Sequence, residues 1–200
     1  MEGLGSDQGI FNEGETLMDT AVYVSQAELE AGLDTIRESP KDQGSVKMIV
    51  RRPRVDEREV VDEGELSLSE GLVGDSWKWR GKTKDRSASL EAQITLMNAR
   101  TIALVAQDET RWQLAGDQFY VDFDLSEDNI PPGTRLAIGS AVIEVSATPH
   151  TGCNKFSARF GVAALKFVNS PEGKQLHMRG INTRVIEPGI VRVGDVVKKL

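Results

Sequence analysis

The chain has little sulfur and little histidine with which to bind a metal. Its 200 residues include one cysteine, Cys153, and two histidines, His150 and His177. A single cysteine excludes an intramolecular disulfide, a C-x-x-C redox motif and the cysteine sets that hold zinc or iron–sulfur clusters. His177 has no second ligand at a useful spacing, so we expect neither zinc nor an iron–sulfur cluster. Any sulfur chemistry must use the Cys153 thiol.

The sequence also lacks a long apolar run. No window approaches the roughly 18 consecutive apolar residues that a membrane-spanning helix needs. Residues 1–5 lack the basic-then-apolar order of a signal peptide, so we expect a cytoplasmic protein without a membrane partner. With 39% hydrophobic and 28% charged residues, a chain of 200 residues can bury a core of its own.

Acidic residues are scarce in only one part of the chain. The formal net charge of −7 argues against a nucleic-acid partner for the protein as a whole. Residues 1–64 hold 15 acids and 7 bases, and residues 65–148 hold 13 and 8, whereas residues 149–200 hold 3 acids and 9 bases. Cys153 and both histidines lie in this basic segment. The sequence therefore predicts an anion-binding site beside a thiol, or a C-terminal stretch that is basic without further consequence.

Apolar alternation and closely spaced turns predict a mainly β protein with a few helices, an α+β fold. Strand patterns cover residues 46–50, 58–61, 87–97, 119–124, 136–138, 141–145, 181–186, 190–193 and 195–197. Helical spacing covers residues 26–38, 98–107 and 160–168. Residues 1–22 show no period, so we expect a flexible N-terminal tail followed by a single domain at residues 23–200.

Four weaker patterns have more than one interpretation. The RRPR cluster at residues 51–54 favours an exposed turn or sheet edge. The GLVGD block at residues 71–75 lacks the Gly-Lys-Ser/Thr ending of a nucleotide-binding loop and favours a turn. Asp122 and Asp124 share one strand face, which favours a solvated face over a catalytic carboxylate pair. The WKWRGKTKDR stretch at residues 77–86 is either a substrate lip or a loop.

The strongest chemical signal surrounds the cysteine. His150, Lys155 and Arg159 lie within six positions of Cys153 and are potential cationic or hydrogen-bond-donating neighbours. Such neighbours stabilise a thiolate, which is the nucleophilic and metal-binding form of cysteine. Gly152 permits close approach of the backbone to a ligand, and the loop before the predicted helix would direct N–H groups at an anion. The alternative is an inert structural cysteine.

A second group of polar side chains follows downstream. Asn182 and Arg184 share one face of a predicted strand, and Arg179 lies at its entry. Guanidinium and amide groups can bind a phosphate or a pterin edge through paired hydrogen bonds. This strand therefore offers a second wall for an anion-binding site.

The ordered motifs from about residue 46 to residue 200 resemble the MOSC family, named after the C-terminal part of molybdenum cofactor sulfurase, in its small stand-alone bacterial form. The resemblance rests on GLVGD at 71–75, QITLM at 93–97, GDQF at 116–119, LAIG at 136–139, HTGC at 150–153, RFG at 159–161 and GIVRVGDVV at 189–197. It implies a β-barrel-like domain and a pterin-bound molybdenum cofactor as the ligand.

The resemblance also implies roles for individual residues. The family's cysteine corresponds to Cys153, which would either carry a persulfide sulfur or bind molybdenum directly, with His150 as a second catalytic residue; a soft thiolate suits both tasks. The neighbouring basic and amide side chains would hold the cofactor and its phosphate: Asn154, Lys155, Arg159, Arg179, Asn182 and Arg184. One departure is WKWR at residues 77–80, where many relatives carry a histidine, and a proton relay there is in doubt.

Two reactions are compatible with the resemblance. Sulfuration of the cofactor requires a cysteine desulfurase partner, because the pyridoxal phosphate associated with the family belongs to a partner or a fused domain. Reduction of N-hydroxylated small molecules requires an electron-transfer partner, because the chain has no iron–sulfur ligands and no dinucleotide fingerprint. The alternative is a noncatalytic β-domain that binds or stores an anionic cofactor or partner through its basic C-terminal face.

Overall fold

The computed structural model describes residues 23–79 and 88–200. Residues 1–22, the predicted tail, lie outside the described residues. So do residues 80–86, which make up most of the basic stretch at residues 77–86. The described helices are α1 (Gln26–Ala31), α2 (Leu33–Arg37), α3 (Ala99–Ala106), α4 (Asn154–Val168) and α5 (Pro171–Gln175). Short 3-10 helices cover Trp77–Trp79, Leu90–Ala92 and Glu109–Ala115. None of the described helices is long and apolar enough to cross a bilayer.

Seven strands close into a β-barrel. The described residues form eleven strands in all: β1 (Gln43–Arg51), β2 (Glu59–Val61), β3 (Glu63–Ser67), β4 (Gly71–Leu72), β5 (Ile94–Asn98), β6 (Phe119–Asp122), β7 (Arg135–Ile138), β8 (Ala141–Val145), β9 (Ile181–Glu187), β10 (Gly189–Arg192) and β11 (Val196–Lys199). The barrel order is β11-β7-β8-β9-β5-β6-β1, and β1 pairs back with β11. Strand β2 extends the sheet beyond β1, and β10-β3-β4 form a second sheet. The mainly β, α+β prediction is confirmed.

Two apolar cores lie on opposite faces of strand β6. Phe119 and Val121 point into the barrel, whereas Tyr120 is fully buried among the helices, with its hydroxyl donating to Trp112 O at 2.7 Å. The alternation predicted for this strand is therefore present, but its second face packs against helices instead of solvent. Beyond Tyr120, Asp122 binds Arg100 at 2.7 Å and Asp124 accepts from the Ser126 N–H at 2.9 Å, so each carboxylate has its own partner.

Helix α4 begins earlier than the sequence pattern predicts. Its first residue is Asn154 and Cys153 is its N-cap, whereas the apolar spacing predicts a start at Phe160. Gly161 interrupts the helix with φ +88°, and a Cβ there would lie 2.9 Å from the Tyr23 ring. Because glycine tolerates this positive φ, the chain kinks there, and α4 consists of two helical segments that meet at Gly161. The early start brings Cys153 to the end of a helix.

The boundaries of the other predicted elements differ modestly, whereas β3, β4 and α5 are not among the predicted elements. Residues 26–38 form two short helices separated at Gly32, where a Cβ would meet the Leu104 side chain at 2.5 Å. Ser25 and Glu28 form a capping box at the start of α1. The strand predicted for residues 87–97 is shorter, because a 3-10 turn precedes β5. The Asn98 side chain caps α3.

The prediction of an exposed arginine cluster at residues 51–54 is wrong for Arg52. Its side chain is 6% exposed and forms a two-pronged ion pair with the fully buried Asp75 carboxylate, through Nε at 2.8 Å and Nη2 at 3.0 Å. The remaining Nη1 donates to Gly116 O at 2.6 Å. The GLVGD block begins as strand β4, and only the residues after Leu72 form the predicted turn. Asp75 at its end supplies the counter-ion that fixes Arg52 against the segment before β6.

Replacing Asp75 by alanine tests this buried pair. The substitution leaves Arg52 buried without its counter-ion, and we expect the free energy of unfolding in urea to fall by about 3–5 kcal/mol. The matched control is Glu57→Ala, which breaks an ion pair to Arg54 whose side chain is 80% exposed. Because exposed pairs contribute little, the control is expected to unfold like the wild type. Equal stability of the two variants would contradict the buried pair.

Candidate functional site

A cavity of about 390 Å³, called here the thiol cavity, opens beside Cys153. Among the residues that the structure describes, its lining includes five cationic side chains and one acid, Asp56. The cations come from four separate parts of the chain: Arg52, Arg58, Lys155, Arg159 and Arg179. His150 completes the polar wall. A concave surface with this excess of positive charge attracts anions.

Positive charge is crowded at this wall. Burial and the neighbouring charges of Arg159 and Arg52 lower the pKa of the Arg58 guanidinium from its ordinary value. Arg159 donates to Leu114 O at 2.7 Å and lies 3.5 Å from Asp56, whose side chain is 68% exposed. That one exposed carboxylate compensates the wall only in part. Binding of an anion would relieve the repulsion among the cations.

The Cys153 thiol is exposed at the first turn of α4. It forms no complete capping hydrogen bond, but the N–H groups of Phe156 and Lys155 face the sulfur. The Phe156 N–H has the largest effect in lowering the pKa of the thiol; partial burial opposes it, and the Lys155 N–H and the charges of Arg179 and Arg159 assist it. The fold therefore favours the thiolate, which is the reactive form.

A buried carboxylate holds the inner wall of the thiol cavity. Asp117 is fully buried and accepts from Arg179 Nη1 at 2.7 Å. The other prong of Arg179, Nη2, donates to Ala115 O at 3.0 Å, and the guanidinium lies 5.1 Å from the centre of the Phe156 ring. The second oxygen of Asp117 lies 3.5 Å from His150 Nδ1. One carboxylate thus faces two of the residues that line the cavity.

Several buried polar atoms around this carboxylate lack hydrogen-bond partners. Within residues 23–79 and 88–200, they are Asp117 Oδ1, His150 Nδ1, Arg179 Nε and Arg58 Nε. Buried polar groups are nearly always paired in native proteins, so such a concentration at one cavity needs an explanation. A bound ligand that draws these side chains into closer contact would supply it.

The imidazole of His150 is neutral at neutral pH. Burial lowers its pKa from 6.5 to about 4; Asp117 opposes this, and the charges of Arg179 and Arg52 add to it. Close packing against strand β5 requires glycine at position 180, where φ is +107° and a Cβ would lie 2.3 Å from Leu96 O and 3.3 Å from His150 Nδ1. The backbone thus brings an uncharged imidazole to the cavity wall.

The structure brings together five of the eight site residues named from the sequence. Cys153, His150, Lys155, Arg159 and Arg179 all line the thiol cavity.

The other three do not line the thiol cavity. Asn154 is exposed at the start of α4. Asn182 donates to Thr148 O at 3.0 Å and holds the loop that leads to His150. Arg184 is bound on the outer face by Glu144, with Nε 3.1 Å from Oε1. The functional roles assigned to all eight residues stay predictions.

Sequence reasoning missed several residues of this site. The RRPR pattern predicts a surface position for Arg52, and no pattern marks Arg58 or Asp117 as a site residue, although Asp117 belongs to the GDQF block. In the WKWR stretch, Trp77 is buried and Trp79 is 64% exposed, but neither lines the thiol cavity. The choice between a lip and a loop there stays open, because residues 80–86 lie outside the described residues.

Comparisons with known proteins agree with the barrel and with the motif blocks. A family model described as MOSC domain matches residues 83–198, more than half of the chain. The structure of the YuaD protein from Bacillus subtilis is 14% identical, with a TM-score of 0.58 over 78% of this chain and 95% of that chain. YiiM from Escherichia coli is 18% identical, with a TM-score of 0.51 over 78% and 69%. Such low identity supports the fold alone. None of the curated proteins matches the sequence.

The pH dependence of alkylation tests the environment of Cys153. Iodoacetamide reacts with the thiolate, so the midpoint of the rate profile of the folded protein is expected below that of the same protein unfolded in urea. Arg159→Gln removes one of the charges that lower the pKa, and its midpoint is expected to rise. The control Arg192→Gln loses an exposed charge that is paired with Glu63 instead. Identical folded and unfolded midpoints would contradict the assignment.

The pH dependence of the free energy of unfolding tests whether the buried His150 imidazole is neutral in the folded protein. Its pKa is lowered from 6.5 to about 4, so the unfolded chain takes up the proton first as the pH falls. The contribution of the neutral imidazole is complete above pH 6.5 and is lost towards pH 4, up to about 3 kcal/mol. In urea unfolding across this range, His150→Gln should lack that part of the loss, and His177→Gln should retain it. Parallel profiles for all three proteins would refute the assignment.

Proposed function

The chain belongs to the MOSC domain family, and we propose that its thiol cavity binds a pterin-based molybdenum cofactor with Cys153 as the soft ligand. The observation that carries this proposal is a thiol of lowered pKa beside a cavity lined by five cationic side chains. A soft thiolate suits molybdenum, and the cations suit an anionic cofactor.

The cationic wall fits a phosphate group. Guanidinium groups bind phosphate oxygens through paired, charge-assisted hydrogen bonds. Within residues 23–79 and 88–200, Arg58 and Arg159 have no buried carboxylate partner and Lys155 has no ion pair, so these three residues would hold the phosphate. The unpaired Nε of Arg58 supports this fit, because a buried N–H without an acceptor is complementary to an anion.

Cys153 and His150 would act closer to the metal. The described residues contain no group of three or more His, Cys, Asp and Glu that could hold a metal ion, so the cofactor itself would supply the other ligands. When bound, the cofactor supplies the redox chemistry of molybdenum. The neutral His150 would offer one nitrogen as a hydrogen-bond acceptor or donor without adding positive charge. Such a site suits reduction of an N-hydroxylated small molecule, with electrons from a separate protein.

A second candidate function is sulfur transfer to the cofactor. It is favoured by the exposure of Cys153, because a cysteine desulfurase partner must reach the sulfur in order to load a persulfide. The same cations would then hold the cofactor during a transient encounter. A noncatalytic domain that stores an anionic cofactor would use the cations alone and would not require the thiol.

Molybdenum content per chain tests the proposal. The wild type and Cys153→Ser are expressed side by side in a host that makes the cofactor, and molybdenum is measured by elemental analysis. We expect metal in the wild type and a loss of at least about tenfold in Cys153→Ser, because the hydroxyl is a hard and protonated ligand. Arg159→Glu should lose metal through its charge, whereas the outer-face control Arg192→Glu should retain it.

The other outcomes separate the alternatives. Molybdenum that is retained by Cys153→Ser but lost by Arg159→Glu contradicts the ligand role and favours storage. Absence of the metal from the wild type, together with a mass increase of one sulfur on Cys153 after incubation with a desulfurase and cysteine, favours the sulfur carrier. Absence of both overturns the proposed function.

A further inference from the structure

A second cavity of about 490 Å³, called here the side cavity, adjoins the thiol cavity. The two share His150 and Arg179, so these side chains form a common wall. Asp117 lies behind this wall and fixes Arg179 at 2.7 Å. A molecule in the side cavity would therefore be separated from the thiol cavity by one layer of side chains.

The charged side chains that line the side cavity nearly cancel one another. Outside the shared wall, the described part of the chain contributes one exposed acid, Glu127, and one exposed base, Lys174. The charge of Arg179 is already compensated by Asp117. The rest of the lining combines apolar groups with neutral hydrogen-bonding groups, such as Val168, Ile181, Pro149, Ser146, Thr148 and Asn182. This composition and volume are typical of a site for a small organic molecule, in contrast with the cationic thiol cavity.

Hydrogen bonds fix the segments that form the walls of the side cavity. The Asn169 side chain accepts from Gly152 N at 2.9 Å and donates to Gly152 O at 3.2 Å. Asn182 holds Thr148 O at the other end of the same loop, at 3.0 Å. His177 has a left-handed φ of +47°, and its Nδ1 lies 2.7 Å from Leu125 O. A non-glycine residue in this conformation is costly and is concentrated at functional sites.

We propose that the side cavity binds an uncharged small organic molecule that has an apolar body and a hydrogen-bonding edge. Such a molecule would lie against the His150–Arg179 wall, next to whatever occupies the thiol cavity. Its role as the reaction partner of that occupant rests on the proposed function. Its binding, and the chemical class of the ligand, rest on the side cavity alone.

Binding of benzamide to the full chain tests the proposal, because benzamide is uncharged and has both an apolar ring and an amide edge. Benzoate and benzamidine are controls of nearly the same shape with negative and positive charge. Affinities are measured by titration with amide chemical shifts as the readout, which also locates the ligand. We expect benzamide to bind best and to shift resonances of residues 146–151 and 177–182 before those of residues 52–58.

Matched tryptophan variants make the test specific. Thr148→Trp adds a large side chain at the rim of the side cavity, and we expect it to weaken benzamide binding by at least about tenfold. Lys198→Trp adds the same side chain on an exposed position of β11, and it should bind like the wild type. Ala147→Phe, at an exposed neighbouring position, provides a second variant should Thr148→Trp fail to fold. Equal affinity in all folded variants, or preferred binding of benzoate, overturns the proposal.

A parallel measurement keeps this proposal distinct from the proposed function. Inorganic phosphate is expected to protect Cys153 from iodoacetamide in the wild type and in Thr148→Trp, but not in Arg159→Glu. If phosphate does not protect Cys153 but Thr148→Trp still weakens benzamide binding, anion binding in the thiol cavity is contradicted and ligand binding in the side cavity is supported. If phosphate protects Cys153 and Thr148→Trp leaves benzamide binding unchanged, ligand binding in the side cavity is contradicted and anion binding in the thiol cavity is supported.

Discussion

The ion pair between Asp117 and Arg179 is the contact on which the geometry of the site depends. Asp117 lies just before β6, and Arg179 lies just before β9, so the pair joins the approaches to two barrel strands that both flank β5. Removal of either partner would leave the other as an uncompensated buried charge, which is strongly destabilising. Each side chain therefore fixes the position of the other. The same carboxylate faces His150 at 3.5 Å. The position of the cavity wall therefore depends on how β6 and β9 are placed in the barrel.

This constraint divides the cations of the thiol cavity into two groups. Arg52 and Arg179 each have a fully buried carboxylate partner and serve chiefly to build the wall. Arg58, Lys155 and Arg159 have no such partner among the described residues, and they create the excess charge that an anion would satisfy. Burial, and after it the nearby charges of Arg159 and Arg52, lower the pKa of the Arg58 guanidinium. The thiolate of Cys153 benefits from both groups, because charges of Arg179 and Arg159 reach the sulfur.

Local patterns in the sequence predicted the barrel strands, the helix that follows β5 and the basic segment around Cys153. They could not predict that Arg52 is buried, because its partner lies 23 residues away in a turn with no charge pattern of its own. The Asp117–Arg179 pair spans 62 residues and is equally invisible to periodicity. The start of α4 was missed because Cys153 is an unusual N-cap and Gly161 interrupts the apolar spacing.

The central claim is that the Cys153 sulfur binds molybdenum, and the presence of a single cysteine makes this directly measurable. Replacing cysteine by selenocysteine in a host that makes the cofactor places selenium at position 153 alone. X-ray absorption at the selenium edge then reports the neighbours of that atom. The account predicts a molybdenum neighbour at bonding distance. A selenium atom bonded only to carbon, or to carbon and one sulfur, in protein that contains molybdenum would contradict it.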